Sequence, residues 1–411
     1  MPFFAISRAA PQGAPGKEEE DIIMTAKRFV SILLSVMMLA TCASFASAEG
    51  DQTLAGQTII IGDIAPMTGA LAAYGTAVDN AIRLAADEIN ASGGILGATV
   101  EISTKDDQFT PAEAVSGFNA LLSEGATAII GSVASSVTSA ITGLANDEGI
   151  VLITACSTAD SITTEDDYVF RSCFKDSFQG EMVAAYAASQ GWTKAAILYA
   201  TGDAYSSGLR DAFVNAAATY GIEVVIEQST SDTSAVDFSS QMATIASSGA
   251  EVLFAPYYYD TVGPMIIPQA REAGFTGAIM GADGFDGTQD YTAGDLSAYE
   301  NVFFTNHYSP DDPSEQVQNF VAAYTEAYGS ESLNALAALA YDATYMLKQA
   351  IETAGSTDHD AIRAAMVGMH YVGVTGDMTL DETGTPAKSV AIMTFAVEDG
   401  KLVQKFVTSQ Q

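Results

Sequence analysis

From residue 58 onward, short β-branched runs alternate with longer Ala-rich segments whose apolar residues recur at helical spacing. "TIIIGDI" (58–64) reads as a buried strand and "GTAVDNAIRLAADEIN" (75–90) as a helix. "ATVEISTKDD" (98–107), "TPAEAVSGFNALLSE" (110–124), "ATAIIG" (126–131) and "SSVTSAITGLANDEG" (135–149) repeat the pair, and "IVLITA" (150–155) and "YVFRSC" (168–173) add strands. Strands apolar throughout are covered on both faces, so the rhythm predicts α/β architecture, a parallel sheet between helices. A second series follows: helix near 177–190, strand 194–200, helix 206–219, strand 222–228, helix 236–247, strand 251–257, helix near 261–272, and strands 277–283 and 301–308. Two successive series imply two doubly wound lobes, which 411 residues at 48% hydrophobic content can furnish with separate cores. The remainder predicts helices over 314–328, 333–353 and 358–367, then strands near 388–397 and 402–408.

The first 48 residues stand outside this pattern. From Met24 the chain reads "MTAKRFVSILLSVMMLATCASFASAEG", a basic start, an apolar run from Phe29 to Leu39 and an A-x-A site at 46–48. The run is short for a membrane span, and the three features together predict an export signal cleaved after Ala48. Residues 1–23 suit a leader poorly, because "KEEED" opposes its positive end, so Met24 is the expected start. "LATC" at 39–42 approaches a lipidation signal at Cys42, but Thr41 stands where a smaller residue is usual. A soluble exported protein is the expected product.

Four basic and four acidic residues leave with the leader, and the rest keeps 12 Lys and Arg against 47 Asp and Glu. Such a surface disfavours nucleic acid and anionic membranes as partners, since neutralising phosphates needs basic side chains.

In open α/β sheets ligands sit beyond the carboxyl ends of the strands. "GSVASSVTSA" (131–140) leaves a strand with five hydroxyls and no charge, and "ACSTADS" (155–161) follows the next strand. The ordinary reading is helix capping. The other is an anion held at a helix N-terminus, where unpaired N–H groups take a carboxylate without Arg or Lys. "YATGDAYSSG" (199–208), "FAPYYYDTVG" (254–263) and "GADGFDG" (281–287) also follow strands. Three tyrosines in a row cannot all face one way, so at least one should line a cleft. Asp283 reads either as an Asx-turn or as an anion aimed at an ammonium group. Three isolated histidines (His307, His359, His370), with no H-E-x-x-H, G-x-S-x-G or Walker loop, point away from an enzyme; no metal or cofactor is expected.

"PMTGALAAYGTA" (66–77), "DEINASGGILG" (87–97) and "VFRSCFKDSFQG" (169–180) resemble the branched-chain amino-acid-binding protein family, the periplasmic receptors of ABC importers. The resemblance runs from about residue 57 to the C-terminus and implies a type I periplasmic-binding fold, two lobes joined by three crossing segments that close on a ligand. It places the crossings near 172–178, 305–310 and 368–376, with lobe 1 as 49–174 plus 307–369 and lobe 2 as 175–306 plus 370–411. Carried over residue by residue, the family's carboxylate contacts fall on Ser135 and Thr158. Its ammonium contacts fall on Asp283, where Glu is frequent, and on backbone at Cys156 and Ser157. Tyr74, Tyr205 and Tyr258 (or its neighbour Tyr259) match aromatic wall positions, and Val133 and Ala134 shape the side-chain space.

The leucine-type members' disulfide is missing, because Gln108 and Ala134 occupy its positions. Cys156 and Cys173 instead lie two residues beyond Thr154 and Arg171 on strands expected to be parallel neighbours, and are expected to pair, for about 3 kcal/mol. The implied function is capture of a small amino acid, branched-chain or otherwise apolar, by a monomer that delivers it to an ABC-type permease. The alternatives are the same fold taking an amide, urea or aromatic acid, or a sensory receptor.

Overall fold

The structure, a computed structural model, describes residues 53–164 and 167–411; the leader, with Cys42 and Ala48, lies outside the described residues. The first series forms β1 (Thr58–Ala65), α1 (Ala72–Ala91), β2 (Thr99–Asp106), α2 (Pro111–Glu124), β3 (Ala128–Gly131), α3 (Ser135–Glu148), β4 (Leu152–Thr154) and β5 (Val169–Arg171). All five strands are parallel, in the order β2-β1-β3-β4-β5. Ile59, Ile61 and Ile64 of β1 are fully buried, as are Ile129 and Ile130 of β3, as expected of strands covered on both faces.

Local chemistry fixes the ends of these elements. Thr110 caps α2 by accepting the Glu113 amide at 3.4 Å, with Pro111 in the first turn, where its missing N–H costs nothing. After α1 the chain reverses through Gly94 at φ +78°, where a Cβ would sit 1.9 Å from the Ala98 carbonyl oxygen. Only glycine fits that close approach, which explains the Gly-Gly of "NASGGILG".

The second series forms α4 (Asp176–Ser189), β6 (Lys194–Ala200), α5 (Ala204–Ala217), β7 (Glu223–Thr230), α6 (Ser239–Ser247) and β8 (Val252–Phe254). Residues 259–272 form one helix interrupted by a π-helical stretch, Val262–Ile266, and ending in α7 (Ile267–Glu272). β9 (Ala278–Gly281) and β10 (Val302–Asn306) follow. The chain then adds α8 (Glu315–Tyr328), α9 (Ala335–Ala354) and α10 (His359–Met366), with α9 packed along α1 of the first series. It continues through a small antiparallel pair, β11 (His370–Gly373) and β12 (Gly376–Thr379), and finishes in β13 (Val390–Glu398) and β14 (Lys401–Gln410). The second sheet has the order β14-β13-β10-β9-β8-β6-β7, with β13 and β14 antiparallel at one edge.

The five parallel strands of the second sheet repeat the 2-1-3-4-5 order of the first. In that order the chain reverses direction between the first and third strands, and the crevice beyond that point is where ligands bind. The corresponding loops follow β1 and β3 in one sheet and β6 and β8 in the other. The β11–β12 pair was not among the sequence expectations; its strands are short and mostly exposed or half-buried, so they carry no apolar signature.

Candidate functional site

Loops from both sheets converge on one small cavity. Tyr74, Val133, Ser135 and Cys156 come from the first series, Tyr205, Tyr258, Asp283 and Gly284 from the second, and Leu336 from the start of α9. The enclosed volume is only about 20 Å³, far below the ~300–1,000 Å³ usual for small-molecule sites, so the cleft must part to admit a ligand. Every lining residue is buried, so the cleft is closed over it. Larger grooves, such as the one beside Phe174, Lys175 and Lys388, are open, and their lysines are engaged with Thr383 and with the Ser172 carbonyl.

The hydroxyl-rich run is not spent on capping. The cap position of α3 is Ala134, and no side chain caps this helix. Ser132 Oγ donates to Asp107, and Ser157 shares a hydrogen bond of 2.6 Å with Thr138. Ser135, in the first turn, accepts the Ala159 amide at 3.2 Å, tying the two hydroxyl-rich loops together. An uncapped N-terminus of a 14-residue helix therefore faces the crevice, with its partial positive charge and free N–H groups.

Thr158 is fully buried and does not line this cavity, and its Oγ1 has no hydrogen-bond partner. Arg171, also fully buried, props the loop from beneath: its guanidinium donates to the carbonyls of Ser157 (3.2 Å), Thr158 (2.9 Å) and Ala159 (2.9 Å) and to Thr163 Oγ1 (3.1 Å). The Ser157 carbonyl is thereby occupied, and its N–H goes to Thr154 Oγ1 at 3.0 Å. The expectation that Ser157 backbone is available to a ligand is corrected accordingly; the Cys156 position, on the cavity wall, is the one that faces it. Ala134 is buried behind Val133 and does not line the space.

Asp283 follows β9 and is held on both carboxylate oxygens. Gln179 Nε2 donates to Oδ1 at 3.0 Å, and His307 Nε2 lies 3.1 Å from Oδ2. Gln179 Oε1 accepts the Asp283 amide (2.9 Å) and Thr305 Oγ1 (2.7 Å), which fixes the orientation of its amide. Asp283 is thus built into a network, where a plain Asx-turn would bond its own neighbours. The adjacent Gly284 is obligatory: a Cβ would sit 2.7 Å from both Tyr205 Oη and the Tyr257 carbonyl. Asp176, the first residue of α4, is fully buried with both carboxylate oxygens unpartnered. Burial pushes its pKa well above the ordinary carboxylate range, tempered by the nearby Thr158 hydroxyl, which stands outside hydrogen-bonding geometry.

The three tyrosines in sequence point three ways. Tyr257 pairs with Thr230 at 2.7 Å inside the second lobe. Tyr258 lines the cavity, stacked on Tyr205 with centroids 5.0 Å apart, and Tyr259 does not line it. Tyr259 turns outward to Tyr74 (4.5 Å) and the Ala70 carbonyl. Tyr74 reaches across from α1 to donate to the carbonyls of Gly284 (2.9 Å) and Asp286 (2.6 Å). Burial raises the pKa of Tyr74, Tyr205 and Tyr258 well above the usual value, so the wall stays uncharged.

The expected disulfide is absent: Cys156 and Cys173 are both free and buried. β4 and β5 are the parallel neighbours the sequence implied, with Thr154 opposite Arg171. The side chains part company beyond that register, Cys173 Sγ turning to the Ser157 carbonyl at 3.3 Å while Cys156 lines the cavity. The sequence reading gave His307 no role in the site and passed over Gln179, Asp176 and Leu336. "KDSFQG" held two of them in plain view, but the partner of Gln179 is 104 residues away. Among the described residues no cluster of His, Cys, Asp or Glu is placed to hold a metal ion, and no helix is long and apolar enough to cross a membrane.

A family model described as periplasmic binding protein matches residues 58–401. The Leu/Ile/Val-binding protein homolog 3 of Brucella melitensis is 30% identical over 372 residues, 89% of this chain and 99% of that one. Among solved structures, a leucine-binding protein of Thermotoga maritima is 31% identical with a TM-score of 0.77, covering 85% of this chain and 98% of that one. A branched-chain amino acid transporter substrate-binding protein of Streptococcus pneumoniae, in complex with isoleucine, is 30% identical at the same TM-score, covering 85% and 99%.

Proposed function

Because the chain belongs to the periplasmic binding protein family, we propose that it captures a small amino acid with an apolar side chain and presents it to an ABC-type membrane permease. The observation that carries the reading is the charge layout of the cavity. Asp283 is the one charged residue among its lining groups, no Lys or Arg joins it, and the uncapped start of α3 adjoins Ser135. One anion beside one partial positive charge suits a zwitterion.

In this reading Ser135, Thr158 and free N–H groups of α3 take the ligand carboxylate. Asp283 and the Cys156 carbonyl take the ammonium. Tyr74, Val133, Tyr205, Tyr258 and Leu336 enclose the side chain, and a cavity of about 20 Å³ in the closed form favours a small one that enters as the lobes part. An aromatic acid fits less well, because its carboxylate would leave Asp283 without a cation.

Two lobes, expected as 49–174 with 307–369 and 175–306 with 370–411, would open and close about the segments that join them. The bonds of Val374 and Thr375 to Asp342, of Gly384 to Arg171 and of Thr385 to Thr163 support assigning residues 374–385 to the first lobe, which moves the last crossing toward β13. Ligand contacts to both lobes favour the closed form in proportion to their differential affinity. The chain is read as a monomer exported to the periplasm by the leader, with no catalytic role.

The test is titration calorimetry of refolded, ligand-stripped protein (residues 49–411) with the common L-amino acids, on wild type and Asp283→Ala. Tight binding of an apolar amino acid, lost in the variant, is expected. Absence of amino acid binding by correctly folded protein, with binding of benzoate or a simple amide, would overturn the reading.

A further inference from the structure

His307 stands at the end of β10, where the chain leaves the second sheet, and its side chain is fully buried. Its ring stacks on Phe174, centroids 3.8 Å apart and planes 22° from parallel, and Phe174 lies on the segment joining β5 to α4. Two of the inter-sheet connections therefore clamp this imidazole, and Nε2 touches the carboxylate proposed above to hold the ligand's ammonium. Nδ1 is buried without a partner. The neutral tautomer that carries its proton on Nε2 suits this place: it donates to Asp283 Oδ2 and leaves Nδ1 with no proton to satisfy.

We propose that His307 is a positioning residue for amino acid binding and makes that binding proton-linked. Neutral, it aims the Asp283 carboxylate at the ammonium; protonated, it becomes an internal counter-ion that competes with the ammonium for the same carboxylate. This inference rests on the amino acid reading of the site.

The groups around His307 set the sign. Asp283 and Asp286 on the β9 loop favour the imidazolium, whereas Lys388, ahead of β13, opposes it. Asp312 and Asp377 line a surface groove that His307 borders, and Asp176 acts on Asp283 from α4. Burial outweighs the acids and lowers the His307 pKa from its usual value, so the imidazole is neutral at neutral pH. A ligand ammonium on Asp283 lowers it further, so binding expels a proton wherever the free protein still holds one.

The experiment is titration calorimetry with the tightest-binding L-amino acid at pH 7.5 and 5.0, in buffers of different ionisation heat, on wild type, His307→Gln and His307→Phe. Wild type is expected to weaken about three- to tenfold between the two pH values and to release protons at pH 5.0. His307→Phe, which removes the donor to a charged group, is expected to bind roughly tenfold or more weakly at pH 7.5. His307→Gln, a donor that cannot titrate, is expected to recover part of that loss and to release far fewer protons at pH 5.0. Equal proton release by wild type and His307→Gln would overturn the inference while leaving amino acid binding intact. Failure of wild type to bind any amino acid at pH 7.5 would overturn the underlying reading instead.

Discussion

Asp286 lies outside the ligand cavity yet holds the cleft shut, and its removal offers a direct measure of closure. The residue belongs to the loop after β9, and its Oδ2 accepts the amide of Ala335, the first residue of the 20-residue helix α9, at 2.7 Å. Its carboxylate also takes Asn306 Nδ2 at 2.9 Å and Gln404 Nε2 at 2.5 Å, both on the second sheet. Of the carboxylate's three bonds, only that to Ala335, on a helix packed on α1, is broken when the lobes part. A hydrogen bond to a charged group contributes ~1.5–3 kcal/mol, and rehydration of Asp286 in the open form argues for the lower end. About 1.4 kcal/mol is a factor of ten in the closed-to-open ratio, so Asp286→Ala is expected to weaken ligand binding roughly tenfold. The loss should be the same factor for every ligand, because the side chain touches none of them. The assay is calorimetry with several L-amino acids, alongside circular dichroism to show that the variant is folded. A dissociation constant within twofold of wild type, or a change in ligand ranking, would refute the latch.

Arg171→Met should leave the carbonyls of Ser157, Thr158 and Ala159 without their donor, at a cost of about 3 kcal/mol or more in urea unfolding; a loss below ~1 kcal/mol would mean the loop finds other partners. Both thiols should be unreactive in the native protein (residues 49–411) and both should appear on unfolding without reductant. Burial pushes the Cys173 pKa up to about 12 and that of Cys156 well above normal, and a count of zero thiols would restore the disulfide. Asp260, whose pKa burial raises to about 6, binds its proton more tightly folded than unfolded. Its contribution is therefore unfavourable above that pH and recedes as pH falls toward 4. Asp260→Asn should stabilise by roughly 2 kcal/mol at pH 7.5 and by little at pH 4, and equal effects at both would refute the assignment.

The sheets were legible because burial on both faces leaves strands such as "TIIIGDI" rich in apolar β-branched residues, while the intervening helices keep a polar face. β11 and β12 were not, since "HYVG" and "GDMT" have exposed positions on both strands and no period to read. Within the site, residues on strand-end loops could be found from the sequence, because the sheet order decides where such loops gather. His307 could not, for a single imidazole acquires meaning only from the carboxylate that another strand brings within 3.1 Å. The cysteines show the opposite failure: the neighbouring strands were read correctly, yet a sulfur-to-sulfur bond depends on side-chain direction, which register alone does not supply.

The strand order of the second sheet has a consequence for how the chain acquires its structure. β10 pairs with β9 on one side and with β13 on the other, and between residues 306 and 390 the chain builds helices that pack elsewhere. During synthesis or export from the N-terminal end, the outer edge of β10 must stay unpaired until residues 390–398 arrive. An open strand edge is a template for aggregation. The last two strands are thus the closing step of a lobe begun some two hundred residues earlier, and a chaperone that shields strand edges would act in that interval.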